Sequence, residues 1–248
     1  MNTQYLYVMG SESGVGKSTI CLGILALLLD QGWPPSQLAY IKPMTQCEEK
    51  QPIARFCNKT HIACNDSGCL VFRKGFSKDF IDGATKDANA LKAKILAAIA
   101  NFGHGKAIVV IDGVGGPSVG SVIGVSNMDI AASLPCRIIF VGKPGIGAAI
   151  DDTILCVSFM HTQGDRPIGL IYNKIPVTGL VEMRKYVTKQ IQQLLPNAEL
   201  LGFLKESEGL DIDLGEARYE ALVDWFGRGI DAKTLCETWG GIGYYNQV

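Results

Sequence analysis

Residues 5–19 read Tyr5-Leu-Tyr-Val-Met-Gly-Ser-Glu-Ser-Gly-Val-Gly-Lys-Ser-Thr19. An apolar run, Tyr5 to Met9, reads as a strand; a turn spaced by Gly10, Gly14 and Gly16 follows; Lys17-Ser18-Thr19 then opens an apolar helix that runs to about Gln31. Strand, glycine-rich turn, Gly-Lys-Ser/Thr and helix in that order are the context a phosphate-binding loop requires. The physical reason is that glycines allow backbone angles that turn successive N–H groups toward one anion, while the helix N-terminus adds partial positive charge. The backbone of Gly14, Val15 and Gly16, with Thr19, would then cradle the phosphates. Lys17 would reach the terminal phosphates and the Ser18 hydroxyl would hold Mg²⁺. The strict spacing GxxxxGK[ST] is not met, because the leading glycine falls one residue early, at Gly10. These residues predict binding of a nucleoside triphosphate, with ATP and Mg²⁺ as the implied cofactors.

Outward from this stretch, the chain alternates apolar runs with amphipathic ones. Ile20 to Leu29 is apolar nearly all round, which predicts a central buried helix. Leu38 to Ile41 predicts a second strand, and Lys42-Pro43 ends it. A lysine at the carboxyl end of such a strand sits either in solvent or at the edge where α/β sheets bind ligands. Gln51 to Asn58 predicts a short helix. The segment RKGFSKDF places Arg73, Lys74 and Lys78 around Phe76, and reads either as a solvated basic loop or as a loop that closes over an anionic ligand. Thr85 to Asn101 has helical spacing, with Ala88, Leu91, Ile95, Leu96 and Ile99 on one face.

Ala107 to Ile111 is an unbroken apolar run of the kind found in buried parallel strands. It ends in Asp112, followed by Gly113, Gly115 and Gly116. An acid at the end of a buried strand, in a chain with a phosphate loop, is placed to ligate Mg²⁺ directly or through water. The glycines let backbone approach a ligand, and the segment to Val125 is a candidate mobile loop. Further strands are predicted at Arg137–Val141, Ile168–Tyr172 and Leu200–Leu204, with helices over about 148–161 and 180–194. Asn173-Lys174 ends the second of these strands. Alternation of this kind predicts an α/β, three-layer, mostly parallel sheet with helices on both faces and right-handed crossovers.

Composition limits the remaining possibilities. The chain has 248 residues, 23 basic and 24 acidic side chains and a formal charge of −1, a balance that gives no nucleic-acid face and no charged tail. The length suits one domain, with a core from about 5 to 204 and a helical extension after it. That extension could cover the sheet edge, complete the nucleotide pocket or form a dimer contact. Neither a signal segment nor a membrane span is predicted, so a cytoplasmic protein is expected. Of eight cysteines, Cys47, Cys57, Cys64 and Cys69 cluster in sequence around His61. Their spacing matches no common zinc or iron–sulfur pattern, and reduced thiols are the simpler reading.

Taken in order, GSESGVGKST, YIKP, VVIDGVGG, SNMDIAASLPCRIIFVG, GLIYNK and LLGFL resemble the dethiobiotin synthetase family and its relatives, the N-terminal domains of cobyrinic acid a,c-diamide synthases. The resemblance covers about residues 5–204, and that family shares the early glycine. It implies a P-loop NTPase-type fold and a cyclo-ligase reaction of biotin biosynthesis. ATP phosphorylates a carbamate formed from CO₂ and a diamine, and the second amine closes the ureido ring with loss of phosphate. Lys17 would bind the β- and γ-phosphates, Ser18 and Asp112 would hold Mg²⁺, Lys42 would steady the carbamate, and Asn173 would read the adenine edge. Thr45, Gly115 and Gly116 would line the side of a small-molecule substrate. A homodimer is implied.

The chain departs from the family at several points. Gly14 replaces the loop acid, Met44-Thr45-Gln46-Cys47 follows Lys42-Pro43, and Glu48, Glu49 and Gln51 are the nearest candidates for a further Mg²⁺ aspartate. Leu204-Lys205 stands where a proline is expected. The alternative is a nucleotide-switched, partner-binding ATPase like the chromosome-partitioning and septum-site proteins, which carry an extra lysine early in the loop. Here Glu12 and Ser13 occupy that stretch. An amide synthase of the cobyrinate kind ranks lower, because it needs a glutaminase.

Overall fold

The computed structural model describes residues 3–45, 52–206 and 216–236. In chain order the strands are β1 (Gln4–Gly10), β2 (Leu38–Ile41), β3 (Met44–Thr45), β4 (Ala63–Asn65), β5 (Leu70–Val71), β6 (Ile108–Asp112), β7 (Cys136–Gly142), β8 (Ile168–Ile175) and β9 (Ala198–Lys205). The helices are α1 (Lys17–Asp30), α2 (Pro52–Thr60), α3 (Phe76–Ile81), α4 (Ala88–Gly103), α5 (Asn127–Ala131), α6 (Ile146–His161), α7 (Leu180–Leu194), α8 (Glu216–Gly229) and the short α9 (Ala232–Thr234).

Seven strands form one parallel sheet in the order β4-β2-β6-β1-β7-β8-β9. The strands are apolar at nearly every position because helices cover both faces, so alternate residues feed two cores. Leu6 and Val8 of β1 point with Tyr40, Val110 and Val141 toward α1, α2 and α8. Tyr7 and Met9 point with Ile41, Ile111 and Phe140 toward α4, α5, α6 and α7. This is the expected three-layer α/β architecture. None of the described helices is long and apolar enough to cross a membrane.

The all-round apolar character of α1 has a direct cause. One side packs on the sheet and the other receives α8, whose Leu222 and Phe226 join the same core. Contact is closest at Gly23, where a Cβ would come within 2.3 Å of the Phe226 ring. Beyond α8, the chain bridges β9 antiparallel at Gly202↔Ile230, and Asp231 N–H donates to Leu201 O at 2.9 Å. The described part of the extension therefore covers α1 and meets the β9 strand. The acidic stretch with Asp211 and Asp213 lies outside the described residues.

Two segments differ from the sequence expectation. RKGFSKDF is not a loop throughout: after Gly75, at φ 88, the chain turns into α3. The segment up to Val125 is held rather than loose. Gly113 to Pro117, Ile123 and Val125 are buried, and a 3₁₀ turn forms at 121–123. The reason lies in Asn127, fully buried, which donates to Val114 O and Gly116 O at 2.7 Å each and accepts from Tyr7 Oη at 3.1 Å.

Candidate functional site

Topology brings the site together before any side chain is considered. β2, β6 and β1 are adjacent and parallel, with Ile41 paired to Ile111 and Val8 to Asp112. Their carboxyl ends therefore deliver Lys42, Asp112 and the glycine-rich loop to one edge of the sheet, where ligands bind in open α/β folds. The loop is locked on both sides: Gly10 N–H donates to Gly115 O at 3.2 Å and Ser11 N–H to Val141 O at 2.9 Å. Gly10 has no room for a side chain, since a Cβ there would lie 2.5 Å from Val15 Cγ2 and 3.2 Å from Lys17 Cδ. The early glycine is thus a packing requirement. Gly14 and Gly16 adopt φ values of 83° and 93°, which glycine alone adopts readily.

Asp112 is the electrostatic centre. It is fully buried, and its Oδ2 accepts from Ser18 Oγ at 2.6 Å, Tyr40 Oη at 2.8 Å and Lys42 Nζ at 3.2 Å. Its Oδ1 is buried with no hydrogen-bond partner among the described residues, and Ser11 Oγ is in the same condition. Burial and the neighbouring Asp112 carboxylate hold the Tyr40 phenol well above its ordinary value, so Tyr40 is a neutral donor. Lys42 Nζ also lies 3.5 Å from Ser18 Oγ. Lys17 is buried, and its ammonium donates to the loop carbonyl of Glu12 at 3.0 Å. Burial lowers its pKa below the ordinary value; Asp112 opposes the shift and Lys42 adds to it.

A cleft of about 270 Å³ opens over these groups. Of the sequence-predicted residues, Gly14, Gly16, Lys17, Ser18, Thr19, Lys42, Thr45 and Gly115 line it. Val15, Asp112, Gly116 and Asn173 stand behind the lining. Gly116 packs its backbone on the loop, where a Cβ would sit 3.3 Å from Ser11 O. Asn173, aimed by a register shift in β8 and the positive φ of Lys174, donates from Nδ2 to Val15 O at 3.0 Å beneath the loop. One amide N–H of Asn173 therefore braces the loop. Glu12, in the stretch where switch ATPases carry a lysine, pairs with Lys143 at 3.5 Å, and Lys143 pairs with Asp152 at 2.7 Å.

Sequence reasoning missed Tyr40 and Asn127. For Tyr40 a signal existed: it is a polar tip on a buried strand, two residues before Lys42. Asn127 could be found only through the capping pattern Ser126-x-x-Asp129, which places α5. Cys47, Glu48, Glu49 and Gln51 lie outside the described residues. Cys57, Cys64 and Cys69 are free thiols, and no group of three potential metal ligands converges among the described residues.

The donor set fits Mg²⁺ with a triphosphate. A hydroxyl and a buried carboxylate with an unsatisfied oxygen are hard oxygen ligands, flanked by two ammonium groups suited to phosphate. No curated protein matches the chain in sequence. Among solved structures, the MinD cell division protein of Aquifex aeolicus superposes with TM-score 0.53 at 15% identity, covering 91% of this chain and 96% of that one. The MinC:MinD cell division protein complex of the same organism gives TM-score 0.52 at 14% identity, covering 91% and 95%. The fold is shared with MinD, a mostly parallel α/β sheet with helices on both faces. The AAA domain family AAA_26 matches residues 4–211, and the chain belongs to that family.

Proposed function

We propose that the chain is a Mg-ATP-dependent ligase of the dethiobiotin synthetase kind, or a close variant acting on another carboxylate or amine. The family includes dethiobiotin synthetase. The observation that carries the reading is Lys42: a lysine from a separate strand lies 3.2 Å from Asp112 and 3.5 Å from Ser18, over the cleft floor. Nucleotide binding by the loop needs Lys17 alone. A second ammonium at the same end is suited to a negatively charged acceptor that meets the transferring phosphoryl group.

In this reading Lys17 and the backbone of 14–16 bind the terminal phosphates. Ser18 and Asp112 hold Mg²⁺, which when bound neutralises charge on the phosphoryl group. Lys42 orients the carbamate or carboxylate oxygen that accepts it, and Thr45 and Gly115 shape the acceptor side. Tyr40 fixes Asp112. Asn173 braces the loop and has its amide oxygen left for the adenine edge. A second reading, a nucleotide-switched ATPase, draws on the MinD-like fold; Glu12 paired with Lys143 in the early loop argues against the switch arrangement.

The test is phosphate release from MgATP with and without 7,8-diaminopelargonate plus bicarbonate. Stimulation that Lys42→Ala and Lys42→Gln abolish, with MgATP binding retained, is the expected result. MgATP binding without stimulation by the diamine or by other amine and carboxylate acceptors overturns the ligase reading in favour of the switch.

A further inference from the structure

The basic segment Arg73-Lys-Gly-Phe-Ser-Lys78 is not used by the nucleotide cleft, yet it walls a second cavity of about 380 Å³, within the range of small-ligand sites. Phe72 and Phe76 form one side, edge to face with ring centroids 5.9 Å apart. Val119 and Val122 form the other, on the turn against which α3 packs. Val122 is a large apolar side chain left 52% exposed. Both walls continue from the first cleft. Phe72 N–H donates to the carbonyl of Thr45 at 2.8 Å, and Val119 is the nearest neighbour of Gly115, 2.8 Å from a Cβ built there.

Arg73 and Lys78 line this cavity, and among the described residues no carboxylate does; the nearest, Asp79, is held by Arg73. Arg73 is oriented by its ion pair with Asp79 and by a hydrogen bond to Lys74 O, which leaves guanidinium N–H groups over for a ligand. Lys78 has no acidic partner within ion-pair distance among the described residues. Aromatic and aliphatic walls under two cations select a ligand with an apolar body and a negative group, since a cation would be repelled and a small polar anion would leave the walls unpacked.

We propose that this cavity is a binding site, distinct from the nucleotide cleft and beside it, for a small organic anion with an apolar body. The site stands whether or not the ligase reading holds. The test is calorimetric titration of the full chain with 3-phenylpropionate and with phenyl phosphate, which separate carboxylate from phosphate as the anion, and with the neutral 3-phenylpropanamide. The expected result is saturable binding of at least one anion, with the amide at least about ten-fold weaker, as loss of a charge-assisted contact implies. The Arg73→Gln/Lys78→Gln variant, its fold checked by unchanged MgATP binding, is expected to lose about ten-fold or more in anion affinity. Val122→Asp, on an exposed turn, is expected to abolish anion binding by adding a like charge. The proposal is overturned if neither anion binds, if the amide binds equally well, or if the cation variant binds unchanged. Loss of anion binding in Lys17→Ala, which would place the ligand on the glycine-rich loop, overturns it as well.

Discussion

Asp112 concentrates three donors on one oxygen and leaves the other buried with none among the described residues. The consequence is a division of labour within one carboxylate: Oδ2 is fixed by Ser18, Tyr40 and Lys42, while Oδ1 is the atom with capacity left. Asp112→Asn is expected to fold, because an amide oxygen can still accept from Tyr40 and Ser18, but to lose at least about 100-fold in MgATP turnover. Steady-state kinetics against Mg²⁺ concentration check this. Tyr40→Phe removes one buried donor to a carboxylate, and denaturant unfolding is expected to show a loss of about 1.5–3 kcal/mol. The same variant is expected to raise the Mg²⁺ concentration needed for half-maximal turnover, since the carboxylate is less firmly held.

Lys17 gives a pH signature of known sign. Its pKa in the fold lies below the ordinary value of 10.5, chiefly through burial. In the window between the lowered pKa and 10.5 the unfolded chain binds more protons than the folded one, so this group's contribution to stability rises with pH there. Phosphate binding has the opposite sign, because it needs the ammonium and weakens as pH rises through the lowered pKa. ATP titrations from neutral to about pH 10 are expected to show affinity falling in this window. In Lys17→Arg, whose guanidinium stays charged, that fall is expected to disappear.

At the scale of elements, α1 is the piece on which the layers depend. It carries Lys17 and Ser18 at its start, packs on the sheet, and meets α8 at Gly23. Gly23→Ala is expected to destabilise by about 1–3 kcal/mol through contact with the Phe226 ring, and Phe226→Ala by about 3–5 kcal/mol through the cavity left behind. Thermal or denaturant unfolding checks both. The hydrophobic run of α1 was legible because its all-round pattern needs neighbours on every side. The neighbour on its outer side was not, because helical spacing in residues 219–226 says which face of α8 is apolar but not which helix it meets. In the sequence, Gly75 and the charges around Phe76 obscure α3, a helix of only six residues. β4, Ala63-Cys64-Asn65, escaped notice because three residues at a sheet edge carry no periodic signal.

For the whole molecule, strand order does what no local pattern reveals. Lys42 and Asp112 are 70 residues apart in sequence, and only the adjacency of β2, β6 and β1 makes them an ion pair. Sequence named both as site residues from their places at strand ends, while the polar tip of Tyr40 on a buried strand was a signal whose partner, Asp112, only the pairing shows. The homodimer that the family resemblance implies can be tested at Val177, just before α7, at Val181 at its start and at Leu155 on α6, apolar side chains left largely exposed, Val181 to 82%. Light scattering after size exclusion is expected to give twice the chain mass. Val181→Asp with Leu155→Asp is expected to give the monomer, with the sheet intact by circular dichroism.

Calorimetric titration with ATP decides whether the cleft over Lys17 and Ser18, with Asp112 behind them, is a Mg-nucleotide site. The expected result is saturable binding that requires Mg²⁺, is lost in Lys17→Ala and loses its Mg²⁺ dependence in Asp112→Asn. Absence of ATP binding by the wild-type chain, or undiminished binding by Lys17→Ala, would contradict it.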